Sequence, residues 1–156
     1  MKPESFLDLL EGLLVPSEYG EKIVEAVPKG WRFYRKGAYI FAAVPYDEPS
    51  VGDYKNSYVK TAIRKIVFAM PLFAEKGLFL LHYGPEEAWG KHASLHQVDK
   101  TALRPIIMQS SHFVDAETGA NLNSRTSWGP VKFGFSSGVI AKVESACSQI
   151  SQSQPE

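Results

Sequence analysis

Trp31-Arg32-Phe33-Tyr34-Arg35-Lys36-Gly37-Ala38-Tyr39-Ile40-Phe41-Ala42-Ala43-Val44-Pro45-Tyr46 is the stretch on which the fold class turns. Its halves, 31–35 and 38–46, are rich in aromatic and β-branched residues and flank Lys36-Gly37, where glycine can take the positive φ that a tight hairpin turn demands. The second half is apolar at odd and even positions alike, with no face to offer to water, so it is expected in the middle of a sheet.

On the amino-terminal side, Phe6, Leu9, Leu10, Leu13 and Leu14 recur at helical spacing and predict a helix over 3–14. Pro3 suits its first turn and Pro16 stops it. A second short helix is expected after Ser17, with Ile23, Val24 and Val27 inward, making a helical hairpin over one sheet face. On the carboxyl side the loop 47–53 leads to the longest expected helix, about 56–76. Val59, Ile63, Ile66, Met70 and Phe73 form its stripe, Pro71 predicts a kink or a break near Phe68, and Gly77 closes it. Residues 78–83 then read as a short buried strand, and Gly84-Pro85-Glu86-Glu87 as a helix start.

The last third supplies strands near 106–114 and 131–135 and a closing helix. Ser136 or Ser137 is its expected cap, and Ile140, Val143, Cys147 and Ile150 its buried stripe. The order ααββαβαββα predicts one α+β domain over 1–150, with a mostly antiparallel sheet of about five strands and a disordered tail over 151–156. Phe41, Ile63, Ile66, Met70, Leu80 and Ile140 are expected to share one core cluster.

With 156 residues the chain fits one domain, and 44% hydrophobic against 22% charged residues is an ordinary globular balance. Seventeen basic side chains offset seventeen acidic ones, so no excess of positive charge is available to displace counterions from a nucleic acid. Lys60, Arg64 and Lys65, the compact basic group, read as the solvated face of a helix. The single cysteine, Cys147, excludes an intrachain disulfide and a cysteine-based zinc cage, and its place in a helical stripe makes it a small core residue. The opening residues carry no basic export signal, and the longest apolar region, 66–81, is interrupted by Pro71, Glu75, Lys76 and Gly77. A cytoplasmic chain that meets neither membrane nor nucleic acid is expected.

All four histidines, His82, His92, His96 and His112, fall between positions 82 and 112. His92 and His96 would share a helical face, with Asp99 or His112 as further ligands, but Ala93, Ser94 and Leu95 stand between them where HExxH would place a carboxylate base. Neither a bound metal nor a cofactor is expected. These five residues are the weak catalytic candidates of a small metal-dependent or histidine/carboxylate hydrolase. Gly134-Phe135-Ser136-Ser137-Gly138 resembles a nucleophile elbow only superficially, because no histidine follows it. Carboxylate pairs at 47–48, 86–87 and 115–117 belong to loops, a helix start and a turn, and no phosphate-binding or calcium-binding loop is present.

What remains is a surface. Arg125-Thr126-Ser127-Trp128-Gly129-Pro130 sets arginine and tryptophan on one connection, with His112 and Asp115 nearby on the same expected hairpin. These four residues, Arg125, Trp128, His112 and Asp115, are the expected partner-binding set of a small binding or interaction protein of the accessory, adaptor or immunity type. Its partner would be another protein or a second copy of the chain.

Overall fold

The structure, a computed structural model, describes residues 2–15, 21–24, 27–47, 58–68, 76–89, 98–99, 106–125 and 133–153. In chain order these form helix α1 (Pro3–Leu14), strands β1 (Glu21–Ile23), β2 (Arg32–Lys36) and β3 (Tyr39–Pro45), helix α2 (Tyr58–Phe68), strand β4 (Lys76–Tyr83), helix α3 (Glu86–Trp89), strands β5 (Val98–Asp99), β6 (Ile106–Val114) and β7 (Asn121–Arg125), and helix α4 (Phe133–Gln152).

The hairpin forms as its residues demand. β2 and β3 pair from Arg32 opposite Ala43 to Lys36 opposite Tyr39, across a two-residue turn in which Gly37 has φ +56°. β3 is central: Ile40 through Val44 are all buried. The partner on its far side, however, is β4, and that pairing is parallel, as is the next one between β4 and β6. The expectation of a mostly antiparallel, roughly five-stranded sheet is therefore corrected. One mixed sheet of seven strands has three parallel strands at its centre and antiparallel ladders at both flanks. Parallel strands buried on both faces read as continuous apolar runs, as 40–44 and 78–81 do.

β5 and β7 both pair with the outer side of β6, β5 at its beginning and β7 along the rest. β6 carries one extra residue against β4, since Leu78 faces Met108 and Phe79 faces Ser110.

Helices cover both faces. Phe6, Leu7, Leu10 and Leu14 of α1 join Val139, Val143, Ala146, Cys147 and Ile150 of α4 against Tyr34, Phe41, Phe79, Leu81 and Val114. Ala62 and Ile63 of α2 pack on the opposite face against Phe33, Ile40, Ala42, Val44, Leu78, Leu80 and Ile106. Phe41 thus lies in one cluster while Ile63 and Leu80 lie in the other, which corrects the expected single core. Alternation along a two-sided strand makes this unavoidable. Ile140 is half-buried; Met70 lies outside the described residues, as does the Ile66 side chain.

Other boundaries move as well. Residues 21–23 form a strand on the edge of β2 rather than the second arm of a helical hairpin. α2 is described to Phe68, and residues 69–75, which include Pro71, lie outside the described residues; Lys76 and Gly77 belong to β4, so Gly77 caps no helix. Residues 133–135 are the first turn of α4 rather than a strand, which places Ser136 and Ser137 inside that helix. No helix among the described residues is long and apolar enough to cross a membrane.

Candidate functional site

Parallel strands bring their carboxyl ends to one edge, and in open sheets of this kind ligands bind outside that edge. Here it carries Pro45, Tyr83 and Val114, tied together by backbone bonds from Tyr46 N–H to the Tyr83 carbonyl (2.8 Å) and from Gly84 N–H to the Val114 carbonyl (2.9 Å). Because β2 runs against β3, its first residue, Arg32, reaches the same edge.

On the α1 face of this edge lies a cleft of about 630 Å³ between the first turns of α1 and the strand ends, lined by Lys2, Pro3, Glu4, Leu7, Asp8, Gly30, Trp31, Arg32 and Tyr83. A smaller hollow of about 120 Å³ adjoins it, sharing Pro3 and Tyr83 and reaching Asp115. The Tyr83 hydroxyl donates to the Gly30 carbonyl at 2.6 Å, bracing one wall against the other.

The electrostatic centre of the cleft is Arg32, whose side chain is 18% exposed. Its Nη2 meets Asp8 Oδ1 at 2.6 Å and its Nη1 meets Glu11 Oε2 at 3.0 Å. The Glu11 carboxylate also accepts from Lys22 Nζ and from the Tyr34 hydroxyl at 3.0 Å. Burial pushes the Glu11 carboxyl up, but the bonds from Lys22 and Tyr34 and the charges of Lys22 and Arg32 more than offset it, holding it below its usual range. Tyr34 goes the other way, raised by burial and then by the Glu11 charge.

The residues singled out from the sequence scatter. His112 is fully buried on the α1/α4 face, where its Nε2 lies 2.6 Å from Ser110 Oγ and its Nδ1 2.7 Å from Asn123 Oδ1. Asn123 Nδ2 donates to Asn121 Oδ1 and, at 3.5 Å, to Glu144 of α4, which turns Asn123 Oδ1 toward the imidazole. The proton therefore sits on Nδ1, and Nε2 accepts from Ser110. Nucleophile, base and orienting group stand here in the order of a hydrolase relay. Ser110 is also fully buried, so the chain of bonds ties β6 to β7 and α4. Burial, countered by the Asn123 bond, pushes the His112 pKa down to about 4.

His82 lies on the other face, one residue before the end of β4. It stacks on Phe113 at 5.4 Å, meets Tyr46 edge-on at 6.3 Å, and belongs with the Trp89–Phe113 cluster. Its Nδ1 is buried and without a hydrogen-bond partner among the described residues. Burial takes its pKa down to about 4 against the opposing effects of Pro45 and Asp47. The sheet thus separates His82 from His112. Among the described residues no group of three or more histidine, cysteine or acidic side chains converges on a metal position. His92, His96 and Trp128 lie outside the described residues. Asp99, in β5, and Arg125, opposite Ser110 at the far end of β7, are described by their backbone alone.

Asp115 closes β6. Its Oδ1 accepts from the Glu117 and Thr118 amides at 2.9 and 3.2 Å, and its Oδ2 from the Glu86 amide at 3.2 Å. One carboxylate thus builds a turn and caps α3. Burial raises its pKa, but these amides hold it below the usual range.

Arg32, Asp8 and Tyr83 were missed from the sequence as site residues. Glu4, Asp8 and Glu11 lie four and three apart on α1, and residues so spaced share a face, a signal that an acidic spot exists. Nothing in the sequence says that the start of β2 will answer it. Compared with known families, characterised proteins and solved structures, this chain matches none.

Proposed function

We propose that this chain is a small binding protein that takes its partner in the cleft at the carboxyl edge of the parallel strands. The observation that carries this reading is the placement of Arg32, half-buried and held by two carboxylates, in the wall of a cleft of about 630 Å³ at the edge where open parallel sheets bind their ligands. Arginine and tyrosine are among the residues that dominate binding energy at interfaces, and Arg32 and Tyr83 both line this cleft, while the Trp31 ring packs against Phe33 on the other face of the sheet. β7 runs against β6, so Arg125, opposite Ser110, lies at the end of that ladder away from the cleft. Peptide-resolved hydrogen exchange tests the proposal with and without fractionated cell extract. Protection confined to 2–8, 28–32 and 83–85 is expected. Protection at 121–125 instead would move the site to the Arg125 connection, and an unchanged map would remove the reading.

A second reading, a hydrolase acting through the histidines between 82 and 112, is favoured by the Ser110–His112–Asn123 geometry and opposed by its complete burial. A fluorophosphonate probe decides it. Labelling of the native protein that disappears in Ser110→Ala supports a reactive serine, and absence of labelling ends the proposal.

A further inference from the structure

Resting on the cleft as the binding site, we propose that its ligand carries a carboxylate, which takes the place of Asp8 on the Arg32 guanidinium. The two acids on that guanidinium are unlike. Glu11 shares its carboxylate among Arg32, Lys22 and Tyr34 and is the anchor that holds the arginine in the wall. Asp8 touches Arg32 through one oxygen, and its side chain is 70% exposed. An ion pair so solvated contributes little to stability, so exchanging its carboxylate for another costs little. Asp8 stands in for the incoming group: it marks a place where a carboxylate already meets Nη2 at 2.6 Å.

The rest of the cleft describes the body to which that carboxylate is attached. Leu7 is buried beside the cleft, and Tyr83, its hydroxyl proton committed to the Gly30 carbonyl, has no donor left for a ligand and contributes mainly apolar surface. Lys2 and the amino end of α1 lie on the rim and favour an anion, while Glu4 on the same rim opposes one. The ligand class is therefore a carboxylate on a compact apolar or aromatic body. A free organic acid and an acidic residue beside an aromatic one in a peptide share that chemistry.

The test is titration of the full chain, followed by NMR or calorimetry, with 3-phenylpropionate, its neutral amide, and a blocked Phe-Glu dipeptide. The acid or the dipeptide is expected to bind saturably and the amide not. Preference between the first two identifies the source. Asp8→Asn removes the resident competitor and should tighten binding by about three- to fivefold, the size of one exposed ion pair. Arg32→Gln should abolish binding. Arg32→Lys, which keeps the charge and loses the planar fork, should weaken it and stands in if the glutamine variant does not fold. Equal binding of acid and amide, or an affinity indifferent to Arg32→Lys and Asp8→Asn, would overturn the carboxylate. If exchange protection by extract still maps to the cleft, the binding site survives that result and only the ligand chemistry falls.

Discussion

Three backbone amides converge on the Asp115 carboxylate, one of them from a different element, so this side chain stabilises two structures at once. Asp115→Ala leaves those donors unsatisfied and should cost about 2 kcal/mol in chemical denaturation. Because its folded pKa is depressed, the contribution is present above the usual carboxylate range and fades as pH falls through the folded value. The buried histidines act at higher pH. Both are pushed from 6.5 down to about 4, so above pH 6.5 their neutral form is common to folded and unfolded chains and the full stability is present. Between 6.5 and 4 the unfolded chain binds protons that the folded chain refuses, and stability falls by up to about 3 kcal/mol per histidine. Urea midpoints measured from pH 7 to pH 4 should decline accordingly, and His112→Gln should lessen the decline; a flat profile would contradict the burial of both rings. From the sequence, four histidines within one stretch left open whether they meet in space. Strand alternation and the extra residue in β6 put two of them on opposite faces instead, and neither effect is visible without knowing what pairs with what.

Elements built by neighbours in sequence were legible, and elements built by distant pairing were not. The β2–β3 hairpin, α1, the strand through 78–83 and the start of α3 all follow from local chemistry: turn glycine, apolar period and proline. Apolar runs announced buried strands but carried no sign of direction, so β3, β4 and β6 were assigned to an antiparallel sheet although they run parallel. β7 escaped because Asn121-Leu122-Asn123-Ser124-Arg125 lacks β-formers; it is a strand because β6 offers it a ladder and Asn123 a bond to His112. The turn between these strands depends on α4. Gly119 has φ +79°, and a Cβ there would collide with Ser151 Oγ and the Cys147 carbonyl. Gly119→Ala should therefore destabilise by at least about 2 kcal/mol in thermal unfolding, since neither the backbone nor the helix can yield. A wild-type melting temperature would show that the turn does not dock on α4 this closely.

Across the whole molecule, two helical layers enclose one sheet, and Cys147 lies where α1, α4 and the sheet meet. Burial, aided by the Glu144 charge, pushes its thiol up to about 12, so the native protein should resist a thiol reagent at pH 8. Modification should appear only with global unfolding, at a denaturant midpoint matching that of circular dichroism. Rapid labelling in buffer would mean that α4 opens on its own. The candidate cleft was not legible at this scale because α1, β2 and β4, far apart in the chain, supply its walls. The same parallel centre has a consequence for how the chain acquires its shape. Antiparallel β2 and β3 meet through a two-residue turn, but β4 can join β3 only after the chain from Pro45 to Lys76 has doubled back, and β6 must do likewise from Tyr83 to Ile106. Closing such long loops forfeits chain entropy before any contact repays it. The hairpin should be the early native feature and β6 docking the slow event, with folding on the millisecond-to-second scale of non-local sheets rather than the microseconds of helical bundles.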